Sequence, residues 1–487
     1  MTVLKNLQPQ LVWQYFEEIC KIPRPSKKEE KMIQFLLDFG QKHQLETKRD
    51  KIGNVLIKKP ATKGKENLKT VVLQSHIDMV CEKNADKQHN FEVDPITPII
   101  DGDWVRADGT TLGADDGIGI AASMAVLTDT ELIHGPIECL FTVDEETGLS
   151  GAFALEPDFI TGKILVNLDS EDEGQLFIGC AGGKDTVVKL RYEHRRPSRK
   201  SIAYKISLSG LKGGHSGDDI HKGRGNSIKI LNRFLWQATE KFKIRLHCFE
   251  GGNLRNAIPR EASAVVLINK QNIQQFVDYF NQFCREIKYE FAITEPLLTL
   301  TCEETEKPEF VLNKKAHFNL LYSLYACPHG VIAMSQRMPG MVETSTNLAS
   351  VKFRDKKIIE ITTSQRSDNN TSKEDIAAMV GCVFKLVDAK VIHSDGYPGW
   401  TPNPESEIVD ITVAAYKKLF KTEPKVRSIH AGLECGLFLE KYPTLDMVSF
   451  GPTLQGVHSP DEKIEIQTVQ KFWNLIVEVL KNIPKEK

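Results

Sequence analysis

Histidine and carboxylate side chains close four apolar runs of this chain. VVLQSHIDM ends on His76 and Asp78, IECLFTVDEE on Glu145 and Glu146, and KILVNLDS on Asp169, while LDMVSFGP leads into a loop carrying His458. Imidazole and carboxylate without thiolate form the donor set of a catalytic zinc-type centre, whereas a structural zinc site favours cysteine. His76 and Asp78 are two apart, so an extended strand points both to one face. Glu145 and Glu146 are adjacent and diverge, which lets one hold a metal while the other faces substrate as a general base. Asp115 stands where the glycine turn of GADDGIGIAASMAVL enters an apolar helix. Taken singly, each feature also fits a duller role. The HxD pair fits a local hydrogen bond, the glutamate doublet a solvated turn, Asp115 and Asp116 a helix cap, and Asp169 with Glu171, Asp172 and Glu173 plain surface. The weight lies in the set, because all of them fall at the ends of buried runs.

Apolar runs with their polar residues at the C-terminal end predict parallel strands buried on both faces, in an α/β sheet with a site along its carboxyl edge. Ahead of them, Gln10 to Lys42 reads as helix broken at Pro23–Ser26, with Ser26 and Glu29 as a capping box for the second half. The Asp-, Pro- and Gly-rich stretch from Asn84 to Thr110 is too long for an ordinary connection and predicts part of the site wall or a small β excursion. The site-bearing pattern stops near Gly183 and returns after Gly396. Between them lie strand-like SIAYKISLSG, IRLHCFEGG and ASAVVLINK, the helices NSIKILNRFLWQATEKF and NIQQFVDYFNQFCREIKYEF, and a further helix-and-strand set from Phe318 to Val391. That order predicts one or two ferredoxin-like layers. The expected organisation is a catalytic domain in two parts, 1–183 and 398–487, with an inserted α+β domain at 184–397 and a hinge at HSDGYPGWTPNPES.

At 487 residues the chain is too long for one ordinary core. Lys+Arg 63 against Asp+Glu 65 gives a net charge of −2, with no basic stripe interleaved with aromatics, which argues against a nucleic-acid partner. The N-terminus lacks the pattern of a signal peptide, and no run of about 18 apolar residues predicts a membrane span. The 10 cysteines are scattered without a CxxC pair, so each reads as a small buried hydrophobe in a reducing cytoplasm.

The ordered motifs QSHIDMVCEKN, HNFEVDPI, DGDWVRADGTTLGADDGIG, DEETGLSGA, GGHSGDDI, NLRNAIPREA, HAGLECG and GVHSPDE run essentially end to end. They resemble the two-metal exopeptidases of the aminoacylase and carboxypeptidase superfamily, and within it the bacterial aminoacyl-histidine dipeptidases. The resemblance implies a zinc-exopeptidase-like mixed sheet with flanking helices, plus an inserted ferredoxin-like lid and dimerisation domain. It implies two Zn2+ per subunit, with Co2+ or Mn2+ as possible substitutes. Asp115 would bridge them, His76 and Asp169 completing one site and Glu146 and His458 the other. Glu145 would be the general base and Asp78 the support of His76. His215 would reach the partner's site in a homodimer, and Asn256 and Arg366 would hold the substrate, Arg366 gripping a free carboxylate bidentately. Gly432 and Glu434 would line the pocket. In this subgroup the bridging aspartate is commonly followed by asparagine, where this chain has Asp116. The implied activity is hydrolysis of aminoacyl-histidine dipeptides such as carnosine in the cytoplasm. A broader di- or tripeptidase or an N-acyl amino acid deacylase shares the chemistry; a binding-only protein would have no need of Glu145, and an assembly protein would show no metal requirement.

Overall fold

The computed structural model describes residues 3–486. The chain forms two compact units, one of residues up to Gly179 with Trp400–Ser428 and Leu433 onward, the other of Cys180–Gly399 with Ile429–Gly432.

The sheet of the first unit runs in the order Glu46–Arg49, Val55–Lys59, Ile137–Thr142, Val71–His76, Ile164–Asn167, Asp446–Ser449, Gln175–Cys180 and Lys425–Ile429. Four neighbours at its centre are parallel: Ile137–Thr142, Val71–His76, Ile164–Asn167 and Asp446–Ser449. Every residue of Val71–His76 and of Ile137–Thr142 is buried, which is why these segments read as continuous apolar runs instead of alternating. Antiparallel strands extend both sides, so the sheet is mixed. Helix Ala114–Thr128 is buried from Asp116 through Leu127 and packs on Val71–His76, in keeping with a segment that is apolar all round.

The capping box predicted from Ser26 and Glu29 does not form. Helix Glu30–Lys42 starts without a side-chain cap. Ser26 Oγ instead donates to Asp78 at 2.7 Å, and Glu29 accepts from the N–H groups of Lys27 and Asp144 at 2.9 and 3.0 Å. A buried carboxylate far along the chain outcompetes the local partner. The stretch predicted as site wall or β excursion contributes two strands, Pro98–Asp101 and Trp104–Ala107, to a small sheet with Lys463–Glu465 and Leu454–Gln455. The loop bearing His458 lies between the last two.

In the second unit, Ser201–Ser209, helix Ser227–Phe242, Arg245–Gly251, Ala262–Asn269, helix Ile273–Glu290 and Thr299–Thr305 follow the β-α-β-β-α-β order of a ferredoxin-like layer. A second layer of the same order comprises Gly182–Arg191, helix Lys314–Ala326, Val342–Arg354, Ile358–Ser367, helix Asn370–Lys385 and Lys390–His393. The first is nested in the connection between the opening strand and opening helix of the second. At the neck of the insertion, His194–Arg195 pairs antiparallel with Val311–Leu312. The two layers join edge to edge into one sheet through a single residue pair, Gly251 with Val351. Their helices share a core in which Phe234 meets Phe276, Phe280 and Phe283 within 5.2–5.7 Å between ring centroids.

Candidate active site

Parallel strands deliver their site residues at one edge. Val71–His76 ends on His76; Ile137–Thr142 runs into a single helical turn that opens with Glu145 and Glu146; Ile164–Asn167 is followed by Asp169; Asp446–Ser449 leads toward His458. Asp115 comes from the start of helix Ala114–Thr128, where its dihedrals (φ −82°, ψ 110°) are not helical.

These side chains converge. His76 Nε2 lies 3.1 Å from Asp115 Oδ1 and 3.5 Å from Asp169 Oδ1. His458 Nε2 lies 3.2 Å from Asp115 Oδ2 and 3.1 Å from Glu146 Oε2. The two oxygens of Asp115 are thus divided between two histidine–carboxylate pairs. In each trio, His76–Asp115–Asp169 and Asp115–Glu146–His458, the potential ligand atoms all lie within 4.8 Å of one another, and so do those of His76, Glu145 and Glu146.

Asp78 stands behind three of these groups. Its Oδ1 accepts from Glu145 N–H at 3.0 Å and lies 3.3 Å from His76 Nδ1, while Oδ2 accepts from Glu146 N–H at 3.2 Å and from Ser26 Oγ. Burial opposes its ionisation, but bonds from His76, Ser26 and Glu145 hold the Asp78 carboxyl down at about 2.

Carboxylates outnumber cations in this space. Burial, with Asp115 nearby, pushes Asp169 up to about 7 and Glu171 up to about 8. Glu145 is raised well above its ordinary value by burial and by Asp169, Glu434 and Glu146. Bonds to Asp115 and Glu146 push His458 up to about 11. Burial works against a charged His76, yet Asp169 and Asp115 raise it as well. Glu146 Oε1 is buried with no hydrogen-bond partner among the described residues. Clustered acidic oxygens, two imidazoles aimed at them and an orphaned carboxylate oxygen suit a pair of divalent cations, whose charge would offset the crowding.

Glu434 is fully buried, and its Oε2 accepts from Gln74 Nε2 at 2.7 Å and Thr142 Oγ1 at 2.8 Å. Gln74 in turn accepts from Asn167, and Asn167 from Ser449. A polar row therefore crosses the central strands just before the site residues. Asp116 is buried too, accepting from Gly119 N–H at 3.1 Å, and burial beside Asp169 and Asp115 pushes its carboxyl well up.

The second unit gathers the remaining residues. His215 Nδ1 accepts from the N–H groups of Gly217 and Asp218 at 3.3 and 3.2 Å. Burial and the Arg366 charge keep its pKa below the usual value. Arg366 Nη2 lies 3.4 Å from His215 Nε2, and Nη1 donates to Tyr397 Oη at 3.1 Å. Arg366 and Asn256 line a cavity of about 620 Å³ together with Tyr397. Gly432 faces the same tyrosine, since a Cβ there would come within 2.9 Å of the Tyr397 ring. The sequence assigns Ser26 to a helix cap and Glu171 to a possible surface cluster, and marks Tyr397 only as part of the proline-rich hinge.

The family model described as Peptidase family M20/M25/M40 matches residues 72–482. The chain is 43% identical over 484 residues to the cytosol non-specific dipeptidase of Escherichia coli (strain K12), covering 99% of this chain and 100% of that protein. The crystal structure of aminoacylhistidine dipeptidase from Vibrio alginolyticus matches with a TM-score of 0.93 and 44% identity, over 99% of both chains. Aminopeptidase PepT from Bacillus cereus shares the fold at a TM-score of 0.57 and 17% identity, covering 98% of this chain and 99% of its own. No helix among the described residues is long and apolar enough to cross a membrane.

Proposed function

The chain belongs to the M20/M25/M40 peptidase family and is a metal-dependent dipeptidase, and from that premise we propose that it hydrolyses short peptides with a free N-terminus, aminoacyl-histidine dipeptides such as carnosine foremost, at a pair of zinc ions. One observation carries this reading: the two oxygens of Asp115 are divided between His76 with Asp169 and His458 with Glu146, with Glu145 alongside. Those two trios would each hold one ion, for which cobalt or manganese could substitute. Bound there, the ions would lower the pKa of a water and polarise the scissile carbonyl.

Glu145 takes the proton of the attacking water and returns it to the leaving amine. Asp78 supports that role by fixing the backbone N–H of Glu145 while it orients His76. His215, reaching in from the partner subunit of a homodimer, helps to hold the oxyanion of the tetrahedral intermediate. A donor placed in that way is worth about 10²–10³ in kcat. Arg366 grips the free carboxylate of the substrate, assisted by Asn256, and Gly432 leaves room for Tyr397 beside the guanidinium. Glu434 supports the strand ends. The inserted unit is assigned the part of lid and dimer contact, and the enzyme is assigned to the cytoplasm.

A broader specificity is the second reading, favoured by the E. coli relative being called non-specific. Hydrolysis of carnosine, alanyl-histidine, other dipeptides, tripeptides and N-acyl amino acids, before and after chelation and with zinc restored, separates the two. Zinc-restored release of histidine at the highest kcat/KM supports the histidine preference. Equal rates across dipeptides establish the broad reading, and activity confined to N-acyl amino acids overturns both.

A further inference from the structure

The turn that presents Asp115 is held by one carboxylate. Glu462 Oε2 accepts from the N–H groups of Leu112 and Gly113 at 2.7 and 2.9 Å, and Oε1 from those of Ala114 and Asp115 at 2.7 and 3.3 Å. Four successive amides of the turn that leads into helix Ala114–Thr128 thus share a single anion. Glu462 is 2% exposed. On the other side of the turn the buried guanidinium of Arg24 donates to the carbonyl oxygens of Gly113, Ile77 and Asp78. Arg24 therefore ties the turn to the segment just past His76. Gly113 has φ 71°, and a Cβ there would lie 2.7 Å from Arg24 Nη2 and 2.9 Å from Met79 Sδ, so both conformation and space favour glycine against Arg24.

Glu462 is also the end of the loop that carries His458, four residues earlier. That loop starts and finishes in one small antiparallel pair, Leu454–Gln455 with Lys463–Glu465. Any displacement of Glu462 would move the Asp115 turn and the His458 loop apart, and with them two of the three donors of one trio. Asp115 reaches the other trio as well, but there His76 and Asp169 sit at the ends of central strands whose places do not depend on Glu462.

We infer that Glu462, backed by Arg24, is a positioning residue that locks the Asp115 turn to the His458 loop and thereby sets the affinity of the Asp115–Glu146–His458 half of the metal centre. The inference rests on the two-ion reading above.

The test is competitive titration of metal-free, full-length protein with zinc against a chromophoric chelator. Glu462→Gln keeps the size of the side chain but turns an amide NH2 toward backbone donors. One equivalent is expected to bind as in the unsubstituted protein, and the other at least about tenfold more weakly, the scale on which supporting residues act on metal affinity. Glu138→Gln is the matched control. Glu138 is equally buried, at 1% exposure, and accepts from the N–H groups of Thr161 and Gly162 at 2.7 and 3.0 Å without touching any of the metal donors. Both of its equivalents should bind unchanged. Should Glu462→Gln fail to fold, Glu462→Asp, which keeps the charge but shortens the reach to the four amides, carries the same expectation of one selectively weakened equivalent. Both affinities unchanged in Glu462→Gln, or both weakened equally in it and in Glu138→Gln, would overturn the inference. An unsubstituted protein that takes up only one ion refutes the two-ion reading itself.

Discussion

Replacing Asp78 by asparagine changes one oxygen to an amide group and leaves the volume of the side chain almost untouched, yet three functional groups depend on that carboxylate. Suppose the remaining oxygen stays on the Oδ1 side, facing Glu145 N–H at 3.0 Å and His76 Nδ1 at 3.3 Å. The new NH2 then faces Glu146 N–H, formerly bonded at 3.2 Å, and Ser26 Oγ, formerly at 2.7 Å. Ser26 can rotate to accept, but the amide of Glu146 cannot, so one buried N–H is left without a partner at about 1–3 kcal/mol. The bonds on the Oδ1 side survive but lose their charge assistance, on the order of 1 kcal/mol together. The sum, about 2–4 kcal/mol, falls on the geometry of the very residues proposed as ligand and base. At about 1.4 kcal/mol per tenfold it converts to a loss of tens- to several hundred-fold in kcat/KM. The flipped rotamer exchanges which glutamate amide is orphaned and gives a similar total. Steady-state hydrolysis of a dipeptide at saturating zinc, with a denaturation curve to establish that the fold persists, measures it. Ser26→Ala, which removes one neutral donor, should cost no more than about fivefold. If Asp78→Asn stays within threefold of the unsubstituted enzyme while folded, the carboxylate does not organise the site and the reasoning fails.

Mixing His215→Ala with Glu145→Ala protein under conditions that exchange subunits should restore measurable activity, because one of the two sites in the heterodimer would combine an intact Glu145 with the partner's intact His215; no recovery after demonstrated exchange refutes the cross-subunit role. Stability should also fall on mild acidification through His317. Its ring is 1% exposed, its Nδ1 accepts from Leu246 N–H at 3.1 Å, and burial, aided by the Arg245 charge, pushes its pKa from 6.5 down to about 4. A histidine lowered on folding binds its proton more readily when unfolded, so its stabilisation is complete above 6.5 and is lost as the pH falls toward 4, amounting to about 2 kcal/mol between pH 7 and 5. His317→Gln should flatten the pH dependence of urea unfolding by that amount over this interval, and an unchanged slope would contradict it.

The strand ends were legible because burial on both faces removes alternation: a run such as IECLFT can only be an interior strand, and the residues directly after it must emerge at the sheet edge. The donor types then narrowed the chemistry. Interactions distant in sequence were not legible. Ser26 carries every local mark of a helix cap, and nothing in its neighbourhood announces that Asp78 will take its hydroxyl. Gly432 and Glu434 stand two apart in one motif, yet one faces Tyr397 in the second unit and the other turns into the sheet toward Gln74 and Thr142. The nesting of the ferredoxin-like layers was hidden for another reason. Its opening strand, Gly182–Arg191, is separated from its opening helix by a whole second copy of the pattern, so reading along the chain splits one layer into remnants. The aspartate at 116 looked like a departure in charge, and burial beside Asp169 and Asp115 raises its carboxyl well above the ordinary value, which works against that extra charge.

The neck at His194–Arg195 and Val311–Leu312 is where one layer leaves the other and comes back, and it is only two residue pairs long. The chain enters and leaves the inner layer by that short stem, while the two layers meet again at Gly251 and Val351 and in their common core. That stem is the natural place for an engineer to label or re-connect the inner layer, provided that the apolar faces it shares with the outer layer stay covered.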